Sequence, residues 1–132
     1  MTNVVLDASV AVRALTSTDQ DGRLLRERLR TGSCHSPHLV DAEVGHVLRR
    51  RAATGAIEAH SAEAALHALD SLVTDRYPHG LLATAAWRLR RNCSYYDALY
   101  VALAARLGYP LLTADARLAR APGLPCPVEL VD

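Results

Sequence analysis

The sequence predicts an α/β domain: a mostly parallel sheet with helices on both faces. Two observations carry this expectation. The runs "NVVL", "YPLLTA" and "CPVELV" are short, bounded and almost wholly apolar, as strands buried on both faces are. Between them lie longer stretches with apolar residues three and four apart, the period of amphipathic helices. The chain has 132 residues and half of them are hydrophobic, so it is read as one domain spanning 1–132 with a sizeable core.

The elements follow in order. "NVVL" (3–6) is a buried strand and "ASVAVRAL" (8–15) continues as a helix. "STDQDG" is a loop. "GRLLRERLR" (22–30) is an amphipathic helix with Leu24, Leu25 and Leu29 on its inner face, stopped near Gly32. "SCHSPH" (33–38) is a short strand whose pairing Pro37 ends. A helix starting at Asp41 runs to Gly55 with Val44, Val47 and Leu48 inward. Ser61 caps the next helix, whose apolar positions are 62, 65, 66, 69, 72 and 73. Residues 79–92 form another helix with 81, 82, 85, 86 and 89 inside. Ser94 opens a helix that Gly108 closes. "YPLLTA" is a strand, "ARLARA" a short helix and "CPVELV" a last strand. Helix outweighs strand. With no phenylalanine, the core is built from Ala, Leu and Val with a few Tyr and Trp87.

Composition removes several kinds of chemistry. All fifteen basic residues are Arg. A phosphate-binding loop of the Walker type and a Schiff-base enzyme both need Lys and are excluded. Arg suits bidentate phosphate recognition, although a biased base composition explains the same pattern. The net charge of +1 sets up no global field for nucleic acid. Cys34, Cys93 and Cys126 are widely spaced and read as reduced thiols of a cytoplasmic protein. The apolar N-terminal run lacks a basic leader and carries Asp7, so neither a signal peptide nor a membrane span is expected.

Four acids stand where the chain otherwise builds core. Asp7 ends the first strand and Asp115 ends "PLLTA". Glu43 and Asp97 are placed in the first turns of their helices. In open α/β sheets such positions gather beyond the carboxyl ends of the strands, where ligands bind. Each acid alone also has a structural reading, because helix N-termini favour carboxylates, and Ser94 with Asp97 fits a capping box. Converging carboxylates without Lys partners form a hard-oxygen site that selects Mg²⁺, with Mn²⁺ as substitute, over Zn²⁺. Sites of this kind run in-line phosphoryl transfer.

The stretches "NVVLDASVAV", "SPHLVDAEVGHVLRR" and "SYYDALYVALAARLGYPLLTADARLAR" resemble the successive motifs of PIN-domain ribonucleases, in particular the VapC-type toxins of bacterial toxin–antitoxin pairs. The resemblance spans nearly the whole chain, and residues 55–87 carry least of it. It implies a PIN-like three-layer sandwich, usually dimeric. It also implies endoribonuclease activity and a VapB-like antitoxin that covers or fills the acidic pocket. The family's acids fall on Asp7, Glu43, Asp97 and Asp115, with Asp7, Asp97 and Asp115 as metal ligands. Its small hydroxyl residues fall on Ser9 and Thr113. Where many relatives carry a further acid, this chain has Arg117.

RNA contacts are expected from Arg49, Arg50 and Arg51 at the rim, from Arg117, and from Tyr95 and Tyr96 by stacking. At least one of the two tyrosines is expected to be buried. Arg23, Arg26 and Arg30 form one further basic stripe, and Arg88, Arg90 and Arg91 another. "CHSPH" lacks the second half of a zinc motif. No G-x-S-x-G elbow supports a serine hydrolase. Two alternatives remain at this level: a PIN-like nuclease of RNA maturation, and a degenerate PIN fold that only binds a protein partner.

Overall fold

A computed structural model describes residues 2–132 and places five strands in one parallel sheet. In chain order the elements are β1 (Asn3–Leu6), α1 (Ala8–Thr16), α2 (Gln20–Arg30), β2 (Ser33–Pro37), α3 (Leu39–Ala53), α4 (Ala59–Leu72), β3 (Asp75–Tyr77), a single 3₁₀ turn (His79–Leu81), α5 (Ala83–Arg88), α6 (Tyr95–Leu107), β4 (Leu111–Thr113), α7 (Ala116–Ala119) and β5 (Val128–Leu130). The strand order is β3-β2-β1-β4-β5. The first strand therefore lies in the middle and pairs with β2 on one side and β4 on the other.

Alternation along the strands sorts the core into two layers. Val5 and Leu111 point into the larger one, with Val40, Val44, Leu69 and the buried run of α6. Val4, Leu6, Cys34 and Leu112 point into the other, against Leu25 and Leu29 of α2. α6 is buried from Ala98 to Ala104, which explains why its sequence shows no polar face. Gly108 ends it in the left-handed region (φ 73°), where a glycine carries no Cβ penalty. A Cβ on Gly32 would fall 1.6 Å from the Thr2 carbonyl oxygen, so β2 can enter the sheet beside the N-terminus only through glycine.

Several expectations need correction. β3 was not anticipated: "DRY" is a half-exposed edge strand without an apolar signature, secured by Arg76, whose Nε donates to Asp41 Oδ2 at 2.7 Å. α3 begins at Leu39 rather than Asp41, because His79 Nε2 accepts the Leu39 N–H at 2.9 Å from forty residues away. Glu43 consequently sits in the second turn. α4 begins at Ala59, so Ser61 lies inside it. α2 starts two residues earlier than expected, with Asp19 accepting the Gly22 N–H at its N-cap. The single helix expected over 79–92 is broken into a 3₁₀ turn, the short α5 and further turns. Leu24, Leu66, Leu81 and Ala85, read as inward, are exposed, and so is Trp87, read as core.

Candidate active site

The four acids meet at the carboxyl end of the sheet. Asp7, Glu43, Asp97 and Asp115 all line one cleft of about 420 Å³, together with Ser9, Leu39, His46, Tyr96 and Tyr100. The parallel topology brings them there: β1 and β4 are neighbours, so the residues that follow them emerge side by side, and α6 starts above the same edge.

Asp7 is the most constrained. It is 5 % exposed and caps α1, accepting the Val10 N–H at 3.1 Å. The Ser9 hydroxyl donates to its Oδ1 at 2.5 Å and the Thr113 hydroxyl donates to its Oδ2. Each hydroxyl is itself held from β4: Ser9 Oγ accepts the Ala114 N–H (2.8 Å) and Thr113 Oγ1 accepts the Asp115 N–H (3.0 Å). Burial pushes the Asp7 carboxyl above its ordinary pKa. Its hydrogen bonds oppose this shift and the Asp97 charge adds to it.

Glu43 reaches the cleft from α3, and Tyr100, 1 % exposed on α6, donates its hydroxyl to Glu43 Oε1 at 2.7 Å. Burial raises the Glu43 pKa, and the charges of Asp97 and Asp7 raise it further against the Tyr100 bond. Asp97 is half-buried. Burial raises it most, the Ser94 hydroxyl and Arg117 pull it down, and Asp115 pushes it up. Ser94 accepts the Asp97 N–H at 3.2 Å, so the expected cap is formed from the serine side. Asp115 caps α7 by accepting the Arg117 N–H at 2.9 Å, and the Arg117 Nε lies 3.8 Å from it.

Among the described residues no group of three or more Asp, Glu, His or Cys side chains forms a ready-made metal cage. The donor set still suits Mg²⁺, which usually binds through one or two carboxylates and keeps several waters and substrate phosphates as its other ligands. Burial raises three of the acids, and a neighbouring carboxylate adds to each shift, as is common at functional sites.

The expected RNA-binding residues divide. Arg117 is exposed and stands beside Asp97 and Asp115 in an adjoining cleft. Arg49, Arg50 and Arg51 are exposed on α3 but do not line the acidic cleft. Tyr96 lines the cleft and Tyr95 instead faces a neighbouring groove. The expectation that one of the two is buried fails, since they are 59 % and 43 % exposed. Sequence reasoning missed Tyr100 as a site residue. Its position four residues after Tyr96 on the same helix was the available signal. His46 also lines the cleft, three residues after Glu43. Cys34 and His35 point to opposite faces of β2. The Cys34 thiol is pushed up to about 11 by burial, and His35 Nδ1 pairs with the Tyr77 hydroxyl at 2.9 Å, so the two side chains do not converge.

Comparison with known proteins gives concordant matches. Residues 4–124 match the model of the PIN domain. The chain is 49 % identical over 132 residues to ribonuclease VapC1 of Mycobacterium tuberculosis, covering 99 % of each. Its backbone superposes on a chain of the VapBC2 structure from Rickettsia felis, bound to a DNA fragment from its promoter, with a TM-score of 0.72 at 15 % identity, covering 99 % of this chain and 100 % of that one. It superposes on M. tuberculosis VapC20, a sarcin–ricin loop cleaving toxin, with a TM-score of 0.66 at 18 % identity, covering 94 % and 98 %. At those identities the two structures speak for the fold.

Proposed function

The chain belongs to the PIN-domain family, among proteins of the VapC ribonuclease kind, and from that membership we propose that it is a Mg²⁺-dependent endoribonuclease and the toxin of a toxin–antitoxin pair. The observation that carries the reading is the convergence of Asp7, Glu43, Asp97 and Asp115 in a single cleft.

Asp7, Asp97 and Asp115 would hold the ion, with Mn²⁺ as substitute. A bound divalent ion supplies a more acidic water and charge stabilisation for a phosphodiester under attack. Ser9 and Thr113 fix the Asp7 carboxylate through its two oxygens, leaving it no freedom to turn away from the cleft. Tyr100 occupies Glu43 Oε1, which leaves Oε2 to take a proton from a water in the cleft. The raised pKa of Glu43 brings it closer to working pH, as a general base requires. Arg117, exposed next to Asp115, offers a guanidinium to an RNA phosphate at the acidic rim. Arg49, Arg50 and Arg51 contribute to steering from further away.

The R. felis neighbour is a VapBC complex, which supports a VapB-like antitoxin as the partner here. That partner would present an Arg or Lys to the acids. A homodimer working on RNA in the cytoplasm completes the reading. Among the described residues no helix is long and apolar enough to cross a membrane. The test is cleavage of total RNA with the ends mapped: Mg²⁺-dependent cutting that leaves 5′-phosphates is expected. Undiminished cutting in EDTA, or 2′,3′-cyclic phosphate ends, would overturn it.

A further inference from the structure

Trp87 is the sole tryptophan of the chain and it is 61 % exposed. It stands on α5 in an open groove of about 660 Å³ with Arg90, Cys93, Ser94 and Tyr95. The Arg90 guanidinium lies 5.2 Å from the ring centroid, and its Nη1 donates to the Trp87 carbonyl at 3.2 Å. Arginine and indole are thus already set as a plane beside a cation.

One smaller cleft lies between this groove and the acidic one. Cys93 and Ser94 line both the Trp87 groove and a smaller cleft that holds Arg117. Asp97 and Asp115 line both that smaller cleft and the acidic one. The three clefts are therefore neighbours, in the order four acids, Arg117, Trp87. Arg90 lines the groove, Arg88 and Arg91 are exposed on the same segment, and among the described residues none of the three is in an ion pair.

Resting on the ribonuclease reading above, we propose that the Trp87 groove receives an unpaired base of the RNA strand whose scissile phosphate lies in the acidic cleft. The base stacks on Trp87 and Tyr95, while Arg90 and Arg117 take the phosphates between. An aromatic face flanked by unpaired arginines is the chemistry of single-strand binding. A second copy fits less well: a two-fold contact centred on this face would set the same unpaired arginines against each other.

Because Trp87 is the only tryptophan, its emission reports this site directly. The experiment titrates the full-length protein in EDTA, where the RNA stays intact. The probes are a short oligoadenylate and an abasic ribose-phosphate chain of equal length. Oligoadenylate should quench the emission and the abasic chain should not. By filter binding, Trp87→Ala should weaken oligoadenylate binding roughly tenfold, with most of it kept by Trp87→Phe. Equal responses to both probes, or unchanged emission while the wild type still cuts RNA with Mg²⁺, would overturn the platform and leave the nuclease intact. An emission change that follows protein concentration or an added protein partner, and not RNA, would overturn it in favour of a protein interface. Base-dependent quenching by a protein that never cuts RNA would uphold the platform and remove the nuclease.

Discussion

Asp7 and Asp115 do the same local work at two strand exits. Each follows a central strand and caps the next helix, Asp7 through the Val10 N–H and Asp115 through the Arg117 N–H. Their surroundings differ. Among the described residues, Asp115 accepts only its cap bond, with an exposed arginine beside it. Asp7 is buried and also receives two hydroxyls, one of them from a residue 106 positions away. Capping accounts for an acid at either exit. It does not account for the two hydroxyls that hold both Asp7 oxygens, and under the proposed function that surplus is what positions Asp7 as a ligand.

The sharpest test of the contrast is the pair Asp7→Asn and Asp115→Asn. Both should abolish cleavage, but only Asp7→Asn should destabilise the fold. Asn has one acceptor oxygen, so one of the two hydroxyls loses its acceptor in a buried place, at a cost of about 1–3 kcal/mol. Asn is as good an N-cap as Asp, so Asp115→Asn should stay within about 0.5 kcal/mol of the wild type. Urea unfolding of both variants in EDTA, with cleavage assays, checks this, and equal stabilities would erase the distinction. Next comes Thr113→Val, which keeps the shape but removes the donor to Asp7 and the acceptor for the Asp115 N–H. It should cut activity by about 10–100-fold, as loss of a ligand-orienting contact does.

Asp97→Asn sharpens the comparison from a third side. As a helix cap only, Asp97 would stabilise the metal-free protein. As one of several crowded acids it opposes Asp7 and Glu43. The variant should melt in EDTA at the wild-type temperature or above, lose most of its Mg²⁺-induced rise, and cut nothing. Asp70→Asn and Glu63→Gln, on the exposed face of α4, should change neither melting nor cleavage.

The smallest expected effect is a pH dependence. Asp7, Glu43 and Asp97 have folded pKa values above their unfolded ones. Between the two values the folded chain binds more protons. The contribution of these groups to stability is therefore fully present below the ordinary carboxylate range and is lost as pH rises through the raised values. Metal-free melting temperatures should show a decline over that window, shallower in Asp97→Asn, and Mg²⁺ should flatten it. Glu129, lowered by exposed Arg28, acts with the opposite sign and weakly.

Much of this was legible in the sequence because the signals are local. β1, β4 and α6 read plainly as runs of buried residues, and Asp7, Asp115 and Asp97 follow or open them. What stayed hidden depends on distant partners. The start of α3 is set by His79, β3 exists because it can pair with β2, and Trp87 is exposed because the region after the 3₁₀ turn breaks up rather than forming one long helix. The Tyr100 bond to Glu43 spans 57 positions; the spacing from Tyr96 points Tyr100 toward the cleft but does not name its partner.

The pairing of β1 with β4 also has a consequence for the birth of the protein. The first acid is made within the opening residues, whereas the hydroxyl that holds it and the last acid lie at 113 and 115. A ribosome releases the chain from its N-terminus at roughly 5–20 residues per second. Until the final stretch has emerged, Asp7 has no β4 beside it and the cleft has no far wall. Every fragment that ends before Thr113 thus lacks an assembled site.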